Sequence, residues 1–179
     1  IKETMSDPNL TKQIIEAALF ASHEPMSLQE LANLFEKSKP SKNKVKEIID
    51  NLNNDYNKRV FEIVMVASGY RIQIKTGFDE WLQKLNKAPS NRYSKAFLET
   101  LVIIAYKQPV TRGDIENIRG VTVNPNIIRS LLEREWIKIV GHKETPGKPE
   151  LLATTKKFLD YFNLKSLSEL PISKDIEPI

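Results

Sequence analysis

Ala21-Ser22-His23-Glu24-Pro25-Met26-Ser27-Leu28-Gln29-Glu30-Leu31 and Ala105-Tyr106-Lys107-Gln108-Pro109-Val110-Thr111-Arg112-Gly113-Asp114-Ile115 fall on one another when the chain is shifted by 84 residues. Identity is slight, yet the chemistry repeats position by position. Each stretch ends an apolar helix, turns through a Pro-apolar step, and places a carboxylate three residues after a hydroxyl. That last pair marks a helix start. The hydroxyl oxygen accepts one orphan backbone N–H and the carboxylate accepts another. Ser27 with Glu30 has the full reach for this; Thr111 with Asp114 is the shorter version. A residue preceding proline is pushed out of the helical region, so Pro25 and Pro109 predict where the preceding helices stop.

Working outward, the same order of elements follows in both copies. Ile14, Ile15, Ala18 and Leu19 share one face of a first helix, as do Phe97, Leu101, Ile104 and Ala105 of its counterpart. Short second helices place Leu28, Leu31 and Leu34 inward in one copy and Ile115 and Ile118 in the other. Third helices carry Val45, Ile48, Ile49 and Leu52, and then Ile127, Ile128, Leu131 and Leu132. Pro125 suits a first helical position behind an Asn124 cap.

The period then changes from helical to alternating. Val60 to Val66 reads as a strand, Ala67-Ser68-Gly69 as its turn, and Tyr70 to Lys75 as the return. Trp136 to Val140 leads into a longer loop, Gly141 to Pro149, and Leu151 to Thr154 returns. Asp79 can cap a further helix holding Trp81, Leu82 and Leu85; Thr154 or Thr155 can cap one holding Phe158, Leu159 and Phe162. Three helices followed by a hairpin describe a winged helix. The expected fold is mostly α with small β wings, an α+β chain of two tandem winged-helix domains. Their expected bounds are 1–88 and 89–179, joined by a polar linker around Pro89, with a frayed tail after 171.

The 179 residues are 40% hydrophobic and 28% charged, enough for two modest cores. No apolar run has the length of a membrane span. The opening Ile1-Lys2-Glu3-Thr4-Met5 has neither an apolar h-region nor a small-residue cleavage site, and cysteine is absent. A cytoplasmic location is expected. The net charge of +4 divides as +1 over residues 1–88 and +3 over residues 89–179. Such a balance permits nucleic-acid contact without demanding it.

Chemistry-bearing motifs are few. The six glycines have neither phosphate-loop nor dinucleotide spacing, and no paired-histidine metal helix occurs. His23 and His142 belong to different copies; His23 is expected to close the carbonyl end of the first helix. Carboxylates sit among basic residues, as in Glu133-Arg134-Glu135, which suits a solvated face. No nucleophile, base and orienter converge, so an enzyme, a cofactor and a metal are not expected. Lys37, Lys39, Lys42, Lys44 and Lys46 crowd the start of the first copy's third helix. Lysine is a point charge without the planar fork that reads guanine, so a solubilising turn is the simpler reading. Arg129, near Asn124 and Asn126, is the best base-reading candidate, and Lys143 and Lys148 of the second wing are candidates for weak phosphate contact.

The run Pro146-Gly147-Lys148-Pro149-Glu150-Leu151-Leu152-Ala153-Thr154-Thr155 and the ending from Phe162-Asn163-Leu164-Lys165-Ser166-Leu167-Ser168-Glu169-Leu170-Pro171 resemble the bacterial segregation and condensation protein B family, ScpB. Arg119-Gly120-Val121, Leu131-Leu132-Glu133-Arg134, Ile14 to Phe20 and the Pro25-Met26-Ser27 turn extend the resemblance over about residues 10–171. His142 and Lys148 stand where the family's wing usually has arginine, and Leu152 where tyrosine is common. The resemblance implies a non-catalytic adaptor of the SMC–ScpA–ScpB complex, serving chromosome condensation and segregation during cell division. It implies a homodimer formed through the first module, and a kleisin partner, ScpA, bound through the second and leading to SMC at the nucleoid. Candidate partner-binding residues are then Tyr106, Ile139 and Leu152, taken as exposed apolar positions; candidate dimer residues are Phe20, Leu34 and Phe35. DNA contact is expected to be weak and non-specific at most. A tandem winged-helix transcription regulator is the alternative.

Overall fold

The computed structural model describes residues 8–85 and 93–171. The chain divides into two compact units, Ile1–Pro89 and Ser90–Ile179. The linker expected around Pro89 and the frayed tail after 171 fall outside the described residues.

The first unit runs α1 (Pro8–Ala21), α2 (Leu28–Asn33), α3 (Lys42–Asp55), β1 (Phe61–Val66), β2 (Gly69–Ile74) and α4 (Asp79–Leu85). Ser27 caps α2 with the full reciprocal box: the Glu30 N–H donates to Ser27 Oγ at 3.2 Å and the Ser27 N–H to Glu30 Oε2 at 2.8 Å. Ser41 caps α3 more simply, its hydroxyl oxygen accepting the Lys44 N–H at 3.2 Å with no carboxylate to return the bond. Val45, Ile48, Ile49 and Leu52 line the inner face of α3 and pack with Ile15, Leu19, Leu31 and Ile63. Leu31 is wholly buried, which contributes about 2 kcal/mol. The Asn53 side chain joins α3 to the wing, accepting the Ile63 N–H and donating to its carbonyl, both at 2.8 Å. Met26 pairs with Tyr70 as an isolated bridge, so the turn before α2 acts as a third strand beside the hairpin.

The second unit repeats this order with α5 (Lys95–Lys107), α6 (Arg112–Arg119), α7 (Pro125–Glu133), β3 (Ile137–His142), β4 (Glu150–Thr154), α8 (Lys156–Tyr161) and a 3-10 turn, Leu167–Glu169. Thr111 and Asp114 form their box, and Gly120 ends α6 in the left-handed conformation at φ 69°. Asn124 caps α7 with Pro125 as its first residue, and Thr155 caps α8. The α6–α7 turn is pinned at one point: Glu116 accepts the Val123 N–H while Arg112 donates to the Val123 carbonyl. Val110 bridges to Leu152, the counterpart of the Met26–Tyr70 bridge. The core gathers Phe97, Leu101, Ile104, Ile115, Leu131, Trp136, Leu152 and Phe158. The chain is thus α+β, helical units each carrying a two-stranded antiparallel wing.

Several local expectations are corrected. Leu34 is 43% exposed and Ile118 46% exposed, although the helical period predicts both inward. Helix α2 stops at Asn33; Leu34, its cap residue, keeps helical dihedrals (φ −63°, ψ −18°) but faces outward, and Phe35, four residues after Leu31, fills the inward place. In α6 the inward place near Ile118 is taken by Arg119, whose side chain reaches Glu99 and Thr100 of α5. Pro109 directly follows the end of α5, but α1 ends at Ala21, four residues before Pro25, where the Ser22 N–H still bonds the Ala18 carbonyl. Helix α4 begins at Asp79, with the Trp81 and Leu82 N–H groups bonding the Phe78 carbonyl; the expected Asp79 side-chain cap lies outside the described residues. Strand β3 extends to His142 through a bulge beside Val140, so the second wing's loop shortens to 143–149.

Candidate partner-binding groove

Helix α5 is apolar on more than its buried face. Beside Phe97, Leu101, Ile104 and Ala105 runs a second stripe, Leu98, Val102 and Tyr106, at one-turn spacing. Leu98 is 40% exposed and Val102 39%. The opposite wall is α8, through Phe158 and Phe162. Between them lies a groove of about 470 Å3, its lining apolar apart from Glu169 and the Tyr106 hydroxyl.

The ending of the second unit shapes one end of this groove. Helix α8 closes in a Schellman arrangement: Asn163 is left-handed at φ 58°, its N–H bonds the Asp160 carbonyl, and the Leu164 N–H reaches the Leu159 carbonyl at 2.8 Å. The chain then turns back, the Lys165 N–H donating to Glu169 Oε2 at 2.7 Å. Leu164 and Leu170 pack against the core, and the Tyr106 hydroxyl donates to the Pro171 carbonyl. Phe162 is braced by Phe158 at 5.0 Å, Tyr161 at 5.0 Å and Trp136 at 5.4 Å between ring centroids. Arg134 lies over Tyr93 and Trp136, a cation–π pair that buttresses the same cluster. A hydrogen bond with Tyr93, assisted by burial, raises the Tyr161 phenol above the ordinary tyrosine value, so it stays neutral. The groove therefore has walls braced by aromatic contacts and an apolar floor.

The structure separates the proposed partner residues. Tyr106 lines the groove. Ile139 is 43% exposed, but on the wing. Leu152 is 2% exposed; it belongs to the core, held between its pairing with Ile139 and its bridge to Val110, and presents no surface. Leu98, Val102, Phe162 and Leu170 were not among the candidates. Their signal was the excess of apolar residues on α5 beyond what one buried face requires.

Among the dimer candidates, Phe20 is 53% exposed and stands edge-on to Phe61 at 5.3 Å, beside the Phe61–Ile74 strand pair. Leu34 is exposed; Phe35 is 5% exposed and is a core residue. Among the nucleic-acid candidates, Arg129 is exposed on α7 and Lys148 is exposed in the wing loop. Lys143 is held by Asp114 at 3.1 Å. That ion pair, added to the Thr111 N–H and hydroxyl bonds, keeps the Asp114 carboxyl below the ordinary aspartate value. His23 is exposed and caps nothing; Ser22 closes the end of α1. Among the described residues no group of His, Asp or Glu side chains is placed to hold a metal ion, and no helix is long and apolar enough to cross a membrane.

The family described as segregation and condensation complex subunit ScpB matches residues 13–173. A segregation and condensation protein B homolog of Coxiella burnetii is 51% identical over 173 residues, covering 96% of this chain and 82% of the relative. Segregation and condensation protein B of Syntrophotalea carbinolica is 41% identical over 166 residues, covering 92% and 82% respectively. A solved dimer of an ScpB N-terminal domain complexed with an ScpA peptide is similar over 48% of this chain and 99% of its own, with 27% identity and a TM-score of 0.40. By the extent of the family match and by these identities, the chain belongs to the ScpB family of segregation and condensation complex subunits.

Proposed function

We propose that this chain is a non-catalytic adaptor of the bacterial SMC–ScpA–ScpB complex, acting in chromosome condensation and segregation during cell division. The second unit docks the kleisin ScpA, and through ScpA the chain is tied to SMC on the nucleoid in the cytoplasm. The first unit pairs with a second copy, using the exposed Phe20 and its neighbour Phe61. The observation that carries the reading is the apolar groove between α5 and α8 in a chain of this family. Leu98, Val102 and Tyr106 repeat at one-turn spacing and suit a partner helix anchored at i, i+3, i+4 and i+7. Burial of an apolar stripe of that length supplies affinity without any bound small molecule.

Size-exclusion chromatography with light scattering, on the chain alone and co-expressed with an ScpA segment, tests this. A dimer that gains the mass of the ScpA segment is expected. A monomer whose mass is unchanged by ScpA would overturn the adaptor role.

A further inference from the structure

The α2–α3 connection of the first unit gathers five lysines between residues 37 and 46. Lys37, Lys39, Lys42, Lys44 and Lys46 stand there against Glu36 and Glu47, all exposed. Lys44 is neutralised by Glu47 at 2.8 Å. Lys37, Lys39, Lys42 and Lys46 have no ion pair or hydrogen bond among the described residues. Elsewhere lysines are commonly engaged: Lys12 with Asp55, Lys95 with Glu99, Lys143 with Asp114, Lys157 with Glu135, and Lys75 on the Tyr56 and Asn57 carbonyls. Residues 1–88 as a whole carry only +1, so the positive potential is local to this turn.

The turn is also held in shape. Phe35 is buried beneath it, its N–H bonded to the Ala32 carbonyl, and Ser41 caps the 14-residue α3. The four free ammonium groups therefore straddle the start of α3, where the helix dipole adds positive potential. In a helix-turn-helix this end of the third helix approaches a duplex.

We infer that the Lys37–Lys46 turn of the first unit is a phosphate-contacting surface for duplex DNA, without base readout. Glu47 and Asp50 are exposed on the next turns of α3 and would be repelled by phosphates if the helix entered the major groove. The contact is thus confined to the backbone at the helix start. Lysine suits this, since it meets phosphate as a point charge. Single strands are disfavoured: the aromatic side chain of this turn, Phe35, is 5% exposed and offers no stacking face. The surface lies away from the groove residues in sequence and needs none of them.

The test is fluorescence anisotropy of the full chain with two unrelated 30-base-pair duplexes across 50–200 mM KCl. Expected are equal affinities for both duplexes and a steep loss of binding with salt. Lys39→Ala/Lys42→Ala/Lys46→Ala should weaken binding about tenfold or more at low salt and lower the salt slope by roughly 3. Lys37→Glu/Lys42→Glu is the second variant, with the same direction; far-UV circular dichroism verifies the fold of each. Lys58→Ala, at an exposed lysine beyond the far end of α3, should leave binding unchanged. No binding at 50 mM KCl, unaltered binding by the folded lysine variants, or displacement by poly-glutamate as effective as by unlabelled duplex would each overturn the inference.

Discussion

Gly69 lies against Met26 so closely that a Cβ on the glycine would stand 2.3 Å from the Met26 carbonyl oxygen. The approach follows from the bridge between Met26 and Tyr70, whose N–H and carbonyl groups exchange hydrogen bonds at 2.8 Å. Gly69 also has φ 151°, outside the region that side-chain-bearing residues favour.

Gly69→Ala is accordingly expected to destabilise the first unit by more than about 3 kcal/mol, because backbone rather than a flexible side chain must move. Gly77→Ala is the control: its φ of 104° is unfavourable, but a Cβ there meets nothing within 4 Å. A loss of about 1 kcal/mol is expected. Urea titrations of the two variants should differ clearly in midpoint; equal midpoints would show that the close approach does not govern stability.

Leu152→Ala is expected to cost about 3 kcal/mol in thermal or urea melts, since it deletes a side chain wholly inside the core. Ile139→Ala, its exposed cross-strand neighbour, should cost well under about 1 kcal/mol.

Leu98→Glu or Val102→Glu places a charge in the groove. Either substitution should leave the melting temperature nearly unchanged, because both positions are exposed, and should reduce ScpA-segment affinity at least about tenfold, the scale of losing a buried apolar anchor. Isothermal titration calorimetry reads this directly. Unchanged affinity in both variants would move the docking site off the groove.

Asp114→Asn should lower stability by about 1 kcal/mol at pH 7, the scale of a lost helix cap. The Asp114 carboxyl is held below the ordinary aspartate value of 3.8 by the Thr111 bonds first and by Lys143 after them. In acid the unfolded chain therefore binds the proton before the folded one does, and the stabilisation present above pH 3.8 is lost as pH falls through the folded value. Wild type and variant should converge below that value in pH-dependent melts, and Lys143→Ala should reproduce part of the loss at pH 7.

The sequence alone determined what is local and periodic. The capping pairs Ser27–Glu30 and Thr111–Asp114, the helical faces of α3 and α5, and the order of helices and hairpins were legible because each depends on spacing within one element. The tertiary structure decided which equally apolar positions are covered. Leu34 and Phe35 are neighbours of similar hydrophobicity, yet Leu34 is 43% exposed while Phe35 is covered in the cluster that holds Leu31 and Ala32. Leu98 and Leu101 are leucines of the same helix, yet Leu98 is 40% exposed and Leu101 2% exposed in the core at the groove floor. Ion pairing was decided the same way: Lys143 meets Asp114 across 29 positions, while Lys37, Lys39, Lys42 and Lys46 meet no acid among the described residues. Burial and pairing depend on what packs across from a residue, and that neighbour comes from a distant part of the chain.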